Sequence, residues 1–391
     1  MLKILHLINS LNRGGIEQWL LYMLGEIPRI QYEIDFCCKG ANIGVLAQVA
    51  QHLNAKVICC PLGINQVLFA QQLRQILQEG KYDILHNHLQ VYSGLPVWVA
   101  NQLGIPVITS FHNTVFDHQI PLTRLPLIRR MRSVYAEISV RYALRHSRLV
   151  TGCSQGVIAS LDSQGTKLPK RSCVLNYGVN IPELVTTEDR HVFRESFGWS
   201  NNVPIILHVG RFIEAKNHLG LLSIFKLVLK HIPTAKLLLV GEGPLHTVIE
   251  KNITQRKLSH AVYLLGARDD VASIMSKCDV FLLPSLHEGL PVMALEANAA
   301  GLPIVGSKIP GMIEAVVDGK TAILHDVEDI EGMANSAIAL IHNRQYCRQI
   351  GNAGRKWVID NYSTSVSAQK LIEIYDSVVK SSSKYLLPKS D

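Results

Sequence analysis

The sequence predicts an α/β protein made of two successive parallel sheets, and three observations carry that expectation. Its 391 residues exceed what a single hydrophobic core usually serves. Short apolar runs alternate with amphipathic segments along most of the chain, the signature of strand–helix–strand crossovers. The alternation also stops once, at a polar stretch, and then restarts.

In the first half, strands are expected at residues 3–8, 33–37, 56–60, 82–86, 107–110, 149–152 and 172–175. Helical periodicity occupies 16–24, 44–53 and 67–78 between them. In the second half, strands are expected at 205–209, 236–240, 262–265, 280–283 and 303–306, with helices such as 218–231 and 326–342. Residues 186–203 are polar and charged, ending in Ser200-Asn201-Asn202 before Pro204. The expected domains are therefore 1–180 and 204–359, joined by a linker over 181–203. Residues 357–379 are helical in pattern, and 381–391 form a polar tail. Two successive open sheets imply a cleft, with ligands beyond the carboxyl ends of the strands.

With 48% hydrophobic and 18% charged residues, the chain is globular. No apolar run approaches the ~18–20 residues of a membrane span, and residues 1–9 turn polar too soon for a signal peptide. The eight cysteines include the adjacent pairs Cys37-Cys38 and Cys59-Cys60, with no metal-ligand spacing. Neighbours on a strand point to opposite faces, so these read as reduced core thiols, which points to the cytoplasm.

Charge is uneven. Residues 1–180 carry 17 Lys/Arg against 9 Asp/Glu, and residues 181–391 carry 22 against 22, so the whole net charge of +8 belongs to the first half. Much of it lies between Arg124 and Arg148, where Arg129, Arg130 and Arg132 alternate with apolar residues. A basic amphipathic helix there would suit an anionic membrane surface, placing the protein peripherally on the inner face of the plasma membrane, or equally a solvated face packed by its apolar side. Nucleic acid is not expected, because no nucleic-acid module accompanies the charge.

The chemistry is concentrated in strand-end loops. In the run from Ser285 to Glu296, Glu288 lies in a loop and Glu296 on the helix that this loop opens, with Pro291 suited to the first helical position and Gly301 to the far cap. Glu296 is then about two turns into the helix, a layout for gripping two ends of an extended ligand rather than flanking one bond. The loop Gly210-Arg211 to Lys216-Asn217 sets two cations beyond a strand, Arg211 as a phosphate fork and Lys216 as a point charge. Gly14-Gly15 and Gly241-Glu242-Gly243-Pro244 permit close approach to a phosphate or simply a tight turn. The first lacks the full dinucleotide fingerprint, which disfavours a nicotinamide enzyme. His86, His88 and His112 fall at strand ends without completing a metal site; His112 is the one whose loop should face the cleft.

These motifs, with Pro284-Ser285, Glu296-Ala297, Gly301-Leu302-Pro303-Ile304-Val305 and Asn176-Tyr177-Gly178-Val179, resemble glycosyltransferase family 4 essentially from end to end. The resemblance implies the GT-B fold of two Rossmann-like domains and a retaining transfer from a nucleotide-diphosphate sugar. The segments 11–17 and 309–312 are most similar to members that build exopolysaccharide or capsule. By that resemblance, Glu288 meets hydroxyls of the transferred sugar and Glu296 those of the ribose. Arg211 and Lys216 neutralise the diphosphate, which Gly14, Gly15, Gly210, Gly243, Gly289, Leu290 and Pro291 line. His112 stands by the sugar on the acceptor side, which would be a glycan or lipid-linked acceptor. No cofactor or metal is expected, and the final helix crosses back to pack on the first domain. Ser307-Lys308 and Asn298 depart from the family pattern and leave the sugar open.

Negative charge grows on the leaving phosphate as its bond to the sugar breaks, so preorganised cations and N–H groups are the main requirement. Three other readings compete. A retaining glycoside hydrolase would leave the basic loops without purpose. A nucleotide-sugar epimerase or phosphorylase could use the same fold, and a non-catalytic nucleotide-sugar-binding protein would be expected to lack Arg211, Lys216 or Glu288.

Overall fold

The computed structural model describes all residues except Ile64, 114–125, 164–170 and 384–391, and the side chains of 126–129, 163 and 381–383. The chain divides into two compact units, Met1–Gly178 with Thr364–Asp391, and Val179–Ser363.

Among the described residues, the first unit holds a seven-stranded parallel sheet: β1 (Leu2–Ile8), β2 (Tyr32–Cys38), β3 (Val57–Cys59), β4 (Ile84–Asn87), β5 (Val107–Phe111), β6 (Leu149–Gly152) and β7 (Ser172–Val174). Their spatial order is β3-β2-β1-β4-β5-β6-β7. All these pairings are parallel, and β1 and β4 meet with His6 opposite His86. Helix layers cover the sheet, which is why its strands read as continuous apolar runs and not alternating ones. Phe69, Leu73 and Leu77 of the helix Gln66–Gly80 and Val97 and Ala100 of the helix Gly94–Gln102 pack with Leu5, Leu7 and Leu85 in one core. The helix Thr364–Ser383 belongs to this unit: Trp19 Nε1 donates to Ser367 Oγ at 2.8 Å, and Tyr32 Oη donates to Asp376 at 2.7 Å. Cys37, Cys38 and Cys60 are buried and Cys59 is exposed, all as free thiols.

The second unit repeats the plan with β8 (Ile205–Val209), β9 (Lys236–Val240), β10 (Val262–Leu264), β11 (Val280–Leu283), β12 (Ile304–Ser307) and β13 (Ala322–His325), in the order β10-β9-β8-β11-β12-β13. Its core centres on Phe212, Phe225, Leu237, Leu282 and Met333. In both sheets the order reverses once, between β1 and β4 and between β8 and β11. Such a reversal opens a crevice at the carboxyl ends of the two flanking strands.

Two sequence expectations are corrected. Residues 181–203 are not a linker: they belong to the second unit and contain the helix Thr187–Glu195. A capping box starts it, Asp189 N–H donating to Thr186 Oγ1 at 3.1 Å and Thr186 N–H to Asp189 at 2.8 Å. Buried Arg194 then ties it down, donating to Asp279 Oδ2 at 2.6 Å and to the Val203 carbonyl at 2.9 Å. Strand β13 has no counterpart among the expected strands. The tail beyond residue 383 lies outside the described residues.

Candidate functional site: the loops after β8 and β11

Strand adjacency brings together two loops that are far apart in sequence. Asn217 takes a left-handed conformation at φ +51° and bonds in two directions: Oδ1 accepts from Gly220 N–H at 3.1 Å, starting the helix His218–His231, and Nδ2 donates to the Pro284 carbonyl at 3.0 Å. Leu286 N–H adds a bond to the Ala215 carbonyl at 2.8 Å. Stitched this way, the loops present Lys216 Nζ to Glu288 Oε1 at 2.5 Å, and Ser285 Oγ donates to the same oxygen at 2.8 Å. Both members of the ion pair are mostly buried. Arg211, in the same loop, is exposed, and its side chain makes no hydrogen bond or ion pair with the described residues.

Close backbone packing holds this geometry. A side-chain carbon at Gly311 would sit 2.7 Å from the Glu288 carbonyl and 2.6 Å from that of Gly289. One at Gly243 would meet the Phe212 amide at 2.7 Å. Phe212 N–H donates to Glu242 O at 2.9 Å, and Gly210 N–H to Val240 O at 3.0 Å, so the loops after β8 and β9 form one wall.

Glu296 lies on the helix Val292–Ala299, whose N-cap is Pro291, one position earlier than the expected role of first helical residue. Leu290 is buried, and its carbonyl takes the Val292 N–H at 2.9 Å. Gly301, at φ +73°, follows the helix end. Desolvation pushes the Glu296 carboxyl up to about 7. A carboxylate deprived of water without a compensating bond is a ready acceptor for ligand hydroxyls.

In the first unit, Gly14 caps the helix Gly15–Glu26 with an extended backbone at φ −165°, so no left-handed turn demands glycine there. His112 is buried at the end of β5, and both ring nitrogens are engaged internally, Nε2 with His88 Nδ1 at 3.0 Å and Nδ1 with Tyr177 Oη at 2.5 Å. Neither ring nitrogen of His112, the residue expected beside the sugar on the acceptor side, is therefore left without an internal partner. Burial drives its pKa down to about 3, so the ring is neutral.

Arg130 and Arg132 are exposed on the helix Pro126–His146, and the side chain of Arg129 lies outside the described residues. One side of that helix buries Ala136, Val140, Ala143 and Leu144. The other exposes Met131, Val134 and Ile138, spaced as one stripe.

The sequence is matched by two family descriptions in succession, "Glycosyltransferase Family 4" over residues 13–182 and "Glycosyl transferases group 1" over 189–357. The chain belongs to glycosyltransferase family 4. Among relatives, this family 4 enzyme is 25% identical over 312 residues to the N-acetyl-α-D-glucosaminyl L-malate synthase of Bacillus anthracis, covering 79% of this chain and 77% of that one. It is 24% identical over 387 residues to the UDP-Gal:α-D-GlcNAc-diphosphoundecaprenol α-1,3-galactosyltransferase of Escherichia coli, covering 97% of each. Among solved structures, Anabaena HepE in complex with UDP and glucose superposes with a TM-score of 0.81 at 19% identity, over 96% of this chain and 100% of that one. The expected GT-B architecture of two Rossmann-like halves is thus observed, and the enzyme is a glycosyltransferase of the hexosyltransferase type.

Ser285 and Asn217, which hold these loops in place, carry no charge to single them out in the sequence. Serine three residues before a loop glutamate and asparagine directly after a loop lysine were the available signals.

Proposed function

We propose that the enzyme transfers a hexose, with retention of anomeric configuration, from a nucleoside-diphosphate sugar to a lipid-linked or other glycan acceptor in cell-surface polysaccharide assembly. The observation that carries this reading is the meeting of Lys216 and Glu288 at the β8/β11 reversal, with Glu296 on the helix that follows. A diphosphate beside Lys216 and Arg211 has its growing negative charge stabilised as the sugar bond breaks. Lys216 then serves two anions, and Glu288, fixed by Lys216 and Ser285 through Oε1, turns its other oxygen to sugar hydroxyls. Glu296 takes the ribose. We assign the backbone of Gly289 and Leu290, with Pro291 and the glycines at 14, 15, 210 and 243, to the donor phosphates, and the wall at His112 to the acceptor side.

The leaving phosphate itself takes the acceptor's proton on the face it departs from, so no enzymic base is required and no metal is invoked. The solved relative that holds UDP and glucose, and the relative named for a diphosphoundecaprenol acceptor, support this choice of ligand classes. The test is incubation with a panel of nucleoside-diphosphate hexoses, with and without a lipid-diphosphate glycan, read by NMR of the product anomer. A new α-linked product from an α-linked donor supports the reading; donor turnover into an isomer or a sugar phosphate, or no turnover with any donor, rejects it.

A membrane-facing role for the helix Pro126–His146 rests on its exposed Met131, Val134 and Ile138 flanked by exposed Arg130 and Arg145, Arg141 being ion-paired to Glu137 at 2.6 Å. An apolar stripe edged with cations suits an anionic leaflet, where a lipid-linked acceptor would be presented.

A further inference from the structure

The first unit contains a buried chain of hydrogen-bonded rings that the transfer reaction does not account for. It starts on the C-terminal helix, where Tyr375 Oη lies 2.9 Å from His6 Nε2 and 3.1 Å from His86 Nδ1. His6 Nδ1 is 3.0 Å from His88 Nε2, and His88 Nδ1 is 3.0 Å from His112 Nε2. His112 Nδ1 meets Tyr177 Oη, and on the other branch His86 Nε2 meets Ser110 Oγ at 2.7 Å. All of these residues are essentially inaccessible to solvent.

The alignment follows from strand geometry. Register partners on parallel strands share a face, as do residues two apart, so His6, His86 and Ser110 project from one side of the sheet, and His88 and His112, each one residue past the end of its strand, continue the line by their ring contacts. Tyr375 meets them from the helix on that side.

Burial holds all four imidazoles neutral. A neutral imidazole donates through one nitrogen and accepts through the other. Each link needs a single hydrogen, and the Tyr375 hydroxyl must donate to one histidine and accept from the other. Only two arrangements satisfy every link. In the first, Tyr375 donates to His6 and all four rings carry the proton on Nδ1, ending with His112 donating to Tyr177. In the second, Tyr177 donates to His112, all four carry it on Nε2, and Tyr375 donates to His86. A mixed pattern leaves two hydrogens, or none, facing each other in a dry interior, which is costly.

We propose that Tyr375, acting through His6 and His88, is a positioning residue that ties the tautomer and ring pose of His112 to those of the other three rings. The four rings behave as one two-state unit, and the hydroxyl on the C-terminal helix is its shared end. His6, His86 and His88 also bring potential ligand atoms within 4.8 Å of one another, the grouping of a metal site. The hydrogen-bonded arrangement is favoured because each of their ring nitrogens is already committed to a partner. The rings of His86 and His88, moreover, stack at 4.2 Å rather than converging edge-on. The proposal rests on the glycosyltransferase reading only in giving His112 a place at the acceptor side.

The test uses the full chain with ring-15N histidine, reading tautomers from two-bond 1H–15N couplings at neutral pH. The expected result is one shared tautomer for His6, His86, His88 and His112. In Tyr375→Phe, which keeps the packed ring and removes the hydroxyl, the ring 15N resonances of His112 should move although two imidazoles intervene, while those of exposed His231 stay put. That variant should also lower kcat several-fold at unchanged donor KM. Mixed tautomers in the wild-type protein would overturn the proposal, as would an unmoved His112 in folded Tyr375→Phe, or a stoichiometric metal whose removal changes the imidazole signals. If Tyr375→Phe does not fold, the wild-type tautomer pattern decides alone. Absence of donor turnover in the wild-type protein would sink the transfer reading and leave the NMR result standing.

Discussion

Lys216 Nζ stands 2.5 Å from Glu288 Oε1, although 72 residues separate the two in sequence. The contact exists because β8 and β11 are neighbours at the reversal of the second sheet, and because Asn217 and Leu286 bind the two loops to each other. A cation and an anion held in this way are each oriented by the other before any ligand arrives.

Lys216→Ala should therefore do two kinds of damage. Turnover should fall by roughly 100-fold or more, from lost stabilisation of the leaving phosphate. Glu288, still bonded to Ser285 but without its cation, should also bind the sugar end less well. Steady-state kinetics with circular dichroism as a folding check would measure this, and near-normal kcat in a folded variant would remove Lys216 from the phosphate site. Arg211→Ala, with no internal partner among the described residues to lose, should cut turnover while leaving thermal stability unchanged.

Nucleotide affinity should depend on pH through Glu296. Its carboxyl is raised to about 7 in the free protein by desolvation. Ribose hydroxyls bonding to the ionised form would lower that value, so binding releases a proton and affinity should climb between roughly pH 6 and 8. The linkage to folding has the opposite sense. The folded state holds a proton that the unfolded state has lost above about 4.5, so this residue's contribution to stability should decline as pH rises from there towards about 7. Calorimetric titration of a nucleoside diphosphate against Glu296→Gln would show the slope flatten; an identical slope in the variant would place the titrating group elsewhere.

Gly311→Ala tests the packing beneath the glutamate loop. Its added methyl would press on the carbonyls of Glu288 and Gly289, at a cost of about 1–3 kcal/mol for overpacking. Thermal denaturation should register a loss of several degrees, and donor KM should rise as Glu288 is displaced. A variant with wild-type melting and KM would show that the loop yields freely.

Met131→Asp with Ile138→Asp should weaken sedimentation with anionic vesicles and leave the fold intact, since both side chains are exposed. Raising salt should weaken the wild-type protein's binding in the same assay, because the proposed attraction comes in part from Arg130 and Arg145. Equal vesicle binding by wild type and variant would rule this helix out as the contact.

Most of the fold could be read from the sequence because buried parallel strands are continuous apolar runs. Leu2–Ile8 or Lys236–Val240 needs only its own residues to be recognised. Strand β13 escaped because it is a four-residue edge strand with alternate burial, directly after the turn at Gly319. The helix Thr187–Glu195 escaped because its residues are mostly charged; its start signal, Thr186 with Asp189 three places on, was present but was not followed by an apolar stripe. The site shows the same division. Glu288, Glu296, Arg211 and Lys216 stood out as charges in strand-end loops, yet only the strand order reveals that Lys216 reaches Glu288. His6 was invisible for a related reason: a histidine inside a buried strand is unremarkable until pairing sets it beside His86.

The return of the chain to its first unit at Thr364 bears on how the molecule is made. His6 and Tyr375 are 369 residues apart and touch at 2.9 Å. During synthesis, the second unit has every residue it needs before Tyr375 leaves the ribosome. The first unit must wait for the helix that brings Tyr375 onto His6 and His86. Residues made first are thus finished late, and a nascent chain halted before the C-terminal helix would carry one mature half and one still open to chaperones.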